Sequence, residues 1–152
     1  MTPVLLLDAI VRRLEQVVKE YTLETNAGTI KTPQICKGYL PPKKKPDEQE
    51  PDFPYIIVRL LNGSDTNDMS SVTVRMLFGT YAHDNEGFVD TLNIMERVRQ
   101  SLNKHRLLED KFRLEYPYEW TLYEEQPKPE WIGESISRWV IDQPYEEVDF
   151  NW

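Results

Sequence analysis

One cysteine, two histidines and six glycines are all that the 152 residues hold of those types. The lone thiol, Cys36, excludes an intramolecular disulfide and any cysteine-based zinc cluster, and it suits a reducing compartment. His83 falls in a polar turn and His105 at the end of a helical pattern, without an HxxxH or HxH partner, so metal-ligand spacing is missing. The glycines form no Walker loop, no GxGxxG and no GxSxG. Glu124 and Glu125 are adjacent and point opposite ways when extended, unlike a carboxylate pair set for acid–base work. No apolar run approaches the ~20 residues that span a bilayer. The apolar stretch 4–10 is short, has no basic leader and runs into Arg12 and Arg13 within a helical pattern, unlike a signal peptide. A net charge of −8 also lacks the cationic excess that phosphate binding draws on. These absences predict a soluble, cytosolic protein with no catalytic activity, cofactor, metal or membrane partner.

What is present suits a single domain with a real core. The chain is 39% hydrophobic and 29% charged, the balance of a globular protein with a charged surface. Its centre is 72–102. Val72, Val74, Met76 and Phe78 alternate with Thr73 and Arg75, which is the period of a strand with one face on a core. Leu77 breaks the alternation, so the second face is expected to be partly covered. Residues 82–87 follow as a polar turn, with Asp84 or Asn85 placed to cap a helix. Phe88, Leu92, Met95, Val98 and Leu102 then recur at helical spacing.

Elsewhere, Thr2-Pro3 marks a helix start. The stripe Leu7, Ile10, Leu14, Val17 and Tyr21 predicts about five turns, ending before Gly28. Residues 30–40 have room for a short strand or hairpin arm. The stretch 41–52 holds four prolines, a basic and an acidic cluster and little to bury, so it reads as a long loop. Ile56 to Leu61 reads as a strand, and 62–68 as the turn of an antiparallel hairpin into the central strand. Asp65 and Asp68 lack the glycine and glutamate positions of a calcium loop. Leu114, Tyr116, Tyr118, Trp120 and Leu122 alternate cleanly. Their aromatics are expected in the core, with an edge or a bulge at Pro117. A stiff connector, 124–130, leads to a last strand ending at Ile141. The predicted fold class is α+β: a mostly antiparallel sheet of about four strands covered by two helices. Residues 1–142 make the domain, with a Pro/Lys/Glu-rich loop at 41–54, and 143–152 form an acidic aromatic tail.

The order helix, loop, hairpin, helix, strand, proline-rich connector, strand resembles the tail terminator (tail completion) proteins of long-tailed bacteriophages and prophages. The residues carrying the likeness are Pro54-Tyr55-Ile56-Ile57-Val58-Arg59, Phe78-Gly79-Thr80-Tyr81 with Asp84-Asn85-Glu86-Gly87, the helix Leu92-Asn93-Ile94-Met95-Glu96-Arg97-Val98-Arg99, and Glu125-Gln126-Pro127-Lys128-Pro129-Glu130-Trp131-Ile132-Gly133. It covers residues 55–142. The resemblance implies an α/β sandwich that closes into a hexameric ring, formed in the bacterial cytoplasm and carried into the neck of the virion tail. Such a ring caps the tail tube protein, ends its polymerisation and presents a surface to the head–tail connector, with DNA only as passing cargo. The acidic balance would then keep phosphate from sticking in the lumen. Lys43, Lys44, Lys45, Tyr145, Phe150 and Trp152 are the candidate subunit or tube contacts, because the loop and the tail have no core to join. Another neck component, such as a head–tail joining or minor capsid protein, is the alternative, and a non-phage binding module a further one.

Overall fold

A computed structural model describes residues 2–25, 27–42 and 52–147. Helix α1 (Pro3–Val17) is followed by β1 (Leu23–Glu24), β2 (Ile30–Lys31), β3 (Gln34–Lys37), β4 (Tyr55–Asp65) and β5 (Ser70–Tyr81). Then come α2 (Gly87–Lys104), β6 (Leu107–Leu108), β7 (Phe112–Leu122) and β8 (Glu130–Ile141). Strands β1 and β2 form a small hairpin of their own, and the other six form one sheet in the order β3-β4-β5-β8-β7-β6. Every pair in it is antiparallel except β3 with β4. This is a single α+β domain. The four long strands are those expected from sequence, β5 and β7 by alternation and β4 by its β-branched content. Strands β3 and β6 extend the sheet to six because pieces of two to four residues carry no readable period.

Both helices lie on one face, α1 over β3 and β4, α2 over β5 and β8. Beneath them Val72, Val74, Met76 and Phe78 of β5 pack with Ile56 and Val58 of β4, Leu114 of β7 and Trp139 of β8. Buried Thr80 and Thr91 share a 2.7 Å hydroxyl hydrogen bond that ties α2 to β5. The second face carries a smaller cluster, Cys36, Phe53, Tyr55 and Ile57, against which Leu77 packs. That is the partial cover its place in the alternation predicts.

Four local expectations are corrected. Helix α1 stops at Val17, about a turn early, and the chain beyond it joins β1. Its buried stripe is Leu6, Ala9, Ile10, Val11 and Leu14, with Leu7 and Val17 only partly covered. The hairpin turn lies at 66–69, where Thr66 N–H bonds Met69 C=O at 2.8 Å, so Asn62 to Asp65 belong to β4. Residue 86 stands at the N-cap of α2, and the Asp84 carboxylate accepts from the Glu86 N–H at 2.9 Å without capping the helix. Tyr116 and Trp120, placed in the core by alternation, are 61% and 53% exposed. Strand spacing of about 4.8 Å and a helix width of about 10 Å mean that two helices cover roughly four strands. With α1 and α2 centred over β3 to β8, the β7 margin is left without a roof. The bulge expected at Pro117 is present, as a register shift against β8 between Glu115 and Glu119.

Candidate functional site

Three surfaces stand out among the described residues. The first is the open face of the sheet. Arg75 sits at its centre, its Nε donating to the Glu134 carboxylate at 2.6 Å and its Nη2 to the Tyr123 hydroxyl at 3.1 Å. Arg59 donates to the Gly38 carbonyl at 2.8 Å and stacks 4.2 Å over the Tyr39 ring. Both arginines are held by partners, which makes this a mixed-sign surface rather than an acid-only one. At its end the Tyr55 ring covers Gly79, where a Cβ would stand 2.3 Å from it.

Burial pushes the Tyr55 phenol from its ordinary 10.0 up to about 12, with Glu130 and Asp52 adding to the effect. Burial also raises the Cys36 thiol, whose Sγ accepts from the Gln34 amide at 3.2 Å, so it stands as a thiol and not a nucleophilic thiolate. A raised phenol pKa gives stability that is whole below the unfolded value and lost as pH climbs through the folded one. Denaturant midpoints should therefore fall between about pH 10 and pH 12. Tyr55→Phe should reduce that fall, the rest coming from Tyr21, Tyr118 and Tyr123, whose phenols burial also raises, and an unchanged slope would dismiss Tyr55 as a source.

The second surface joins the start of α1 to the β4–β5 hairpin. Pro3, Leu60, Leu61, Asn62, Gly63 and Val72 line a shallow, mostly apolar hollow of about 190 Å³. A register shift between Leu60 and Asn62 turns Leu61 outward, and Val4 and Leu5 near it are also exposed. The third surface is the unroofed margin of β7. Leu92, Asn93, Met95, Glu96, Arg99 and Trp120 line a groove of about 280 Å³ between α2 and β7. One wall is locked by the two-pronged Arg99–Glu96 pair at 2.6 and 2.7 Å, which with the Gln100 amide holds the Glu96 carboxyl down at about 2. Arg106 stacks 4.1 Å over Tyr116 and donates to the Leu114 carbonyl.

No family model matches the chain, and no curated protein matches it in sequence.

Of the residues singled out from sequence, Tyr145 is described, and it is 94% exposed after β8. Lys43, Lys44, Lys45, Phe150 and Trp152 lie outside the described residues. The apolar surfaces around Leu61 and Trp120 escape sequence reasoning, since both residues sit in strand patterns that read as core. Pro117 is the one signal that marked β7 as irregular. Among the described residues no group of three or more His, Cys, Asp or Glu is placed to hold a metal ion. None of their helices is long and apolar enough to cross a membrane.

Proposed function

We propose that this protein is a ring-forming structural subunit of a phage tail neck, acting as a tail terminator: it caps the tail tube, stops its growth and offers a face to the head connector. One observation carries the reading. Two unlike patches of exposed apolar side chains lie on opposite flanks of the sheet, Val4, Leu5 and Leu61 on one and Tyr116 and Trp120 on the other. A cyclic assembly built head to tail needs two different patches on one subunit, whereas a two-fold dimer needs one that fits itself. The tied-down charges of the open face fit assembly by shape and charge, without turnover. The order of elements noted from sequence supplies the phage context.

Light scattering on a sizing column, with negative-stain images of the peak, tests the reading. Closed rings, formed alone or on adding tail-tube protein, are the expected result. Val4→Asp with Leu61→Asp should prevent them while leaving the unfolding midpoint near that of the parent, because both side chains are already wet. A chain that stays monomeric and ignores tube protein would sink the proposal. Cryo-microscopy of the particle separates a terminator from its neighbours in the neck, by its place against tube or portal.

A further inference from the structure

The six-stranded sheet has a bare length on each of its two edges. Strand β3 covers β4 only from Tyr55 to Val58, so from Leu60 to Asp65 no described strand lies outside β4. Strand β6 covers β7 only at Phe112 and Arg113, so from Glu119 to Leu122 none lies outside β7. Strand edges of this kind are templates for another chain. Each carries an exposed apolar side chain on the face that bears the helices. Leu61 lines its hollow with Pro3 of α1 and Val72 of the core, and Trp120 lines its groove with side chains of α2.

The two bare lengths fit each other. Strands β4 and β7 run in opposite senses, because the steps from β4 through β5 and β8 to β7 are all antiparallel. A second copy moved along the sheet, without being turned over, therefore sets its β4 antiparallel to β7 of the first, with the helices of both on one side. At equal height the joint is blocked. Val58, which β3 covers, is level through Met76 with Ser135, and so is Trp120, so β3 of the second copy would run into β7 of the first. Strand β6 of the first would likewise meet β4 of the second.

Sliding the second copy towards the Glu130 end of β8 by about four residues, or ~14 Å, clears both short strands. Gly63, level through Val72 with Trp139, then comes beside Trp120, which is level with Ser135. Gly63 has no side chain, and the hollow of about 190 Å³ lies at that point, open to an indole from the neighbouring strand. Val4 and Leu5, exposed at the start of α1, come over the β7 margin that the first copy's own helices leave bare. The charges agree too: the hairpin turn with exposed Asp68 approaches Arg106, which stacks on Tyr116.

We propose that the bare half of β4 in one copy pairs antiparallel with the bare half of β7 in the next, seating Trp120 in the hollow beside Gly63. This rests on the ring reading and gives it a joint. The two edges differ and lie at opposite ends of one sheet, so every joined copy still offers an edge to a further one.

Cysteine cross-linking of the full chain tests it. With Gly63 beside Trp120, antiparallel pairing sets Leu61 beside Leu122. A chain carrying both Leu61→Cys and Leu122→Cys, oxidised with copper phenanthroline under conditions where the parent forms rings, should give a ladder of linked dimers, trimers and higher species on a non-reducing gel. Either substitution alone should give no linked species, and the two single variants mixed should give linked pairs only. The parent, whose Cys36 is buried, is the blank. Trp120→Cys with Leu61→Cys tests the register two residues along, and replaces the first pair if Leu122→Cys lowers the thermal midpoint. Rings in which neither pair links would overturn the joint and leave the ring reading standing. Leu61→Cys linking to itself would mark a two-fold contact and overturn the joint. A parent that stays monomeric with and without tube protein overturns both.

Discussion

Replacing Trp139 by alanine should lower the free energy of unfolding by about 3–5 kcal/mol. The side chain is fully buried on β8, between Val72 of β5 and Leu114 of β7, at the join of the two halves of the sheet. Its indole N–H donates to the Ser137 hydroxyl at 3.0 Å, also buried. Alanine would therefore leave a cavity under the helices and take a partner from a buried oxygen. For a domain of this size the thermal midpoint should drop by roughly 10 °C. Trp120→Ala is the control: the same residue type on the adjacent strand, but half exposed, with an expected cost within about 1 kcal/mol. Equal losses at the two positions would mean that burial does not set the difference.

Gly87→Ala should destabilise by about 2–4 kcal/mol, against the usual direction for glycine in a helix. In an ordinary helix, alanine gains up to about 1 kcal/mol over glycine. Here a Cβ at residue 87 would stand 2.1 Å from the Trp131 indole nitrogen, closer than any side chain tolerates. That nitrogen donates to the Ala82 carbonyl at 2.9 Å, and Trp131 is buried, so it cannot swing aside without abandoning a bond and its packing. Glycine is thus what lets α2 begin directly over β8. In a Trp131→Ala background the same substitution should become neutral or stabilising, which denaturant titration of the four proteins would reveal. A stabilising effect in the parent itself would refute the steric account.

The parts legible in the sequence are those whose periodicity and burial agree. The even positions of β5 read as core and are core, and Val98 and Leu102 of α2 likewise. What escaped notice follows from cover, which no single strand's pattern encodes. Trp120 and Tyr116 alternate as faithfully as Val72 and Val74, yet they lie where the helices run out. Buried Thr91 fell outside the apolar stripe because its hydroxyl is satisfied across the fold by Thr80, a partner 11 residues distant. Strand β3 is too short to show a period and is recruited by its parallel neighbour, β4. The candidate surfaces share this origin. They are visible only once it is known which strands have no helix above them.

Strand β8, the last of the sheet in sequence, is also the one between β5 and β7. It is matched with β5 over its whole length, from Tyr81 with Glu130 to Ser70 with Ile141. During synthesis, β4 and β5 can pair as soon as their turn is made, but β6 and β7 have no sheet to join until Glu130 to Ile141 have left the ribosome. Chains stalled before that point therefore carry two half-sheets with bare flanks, and the sheet becomes continuous only when β8 closes the gap.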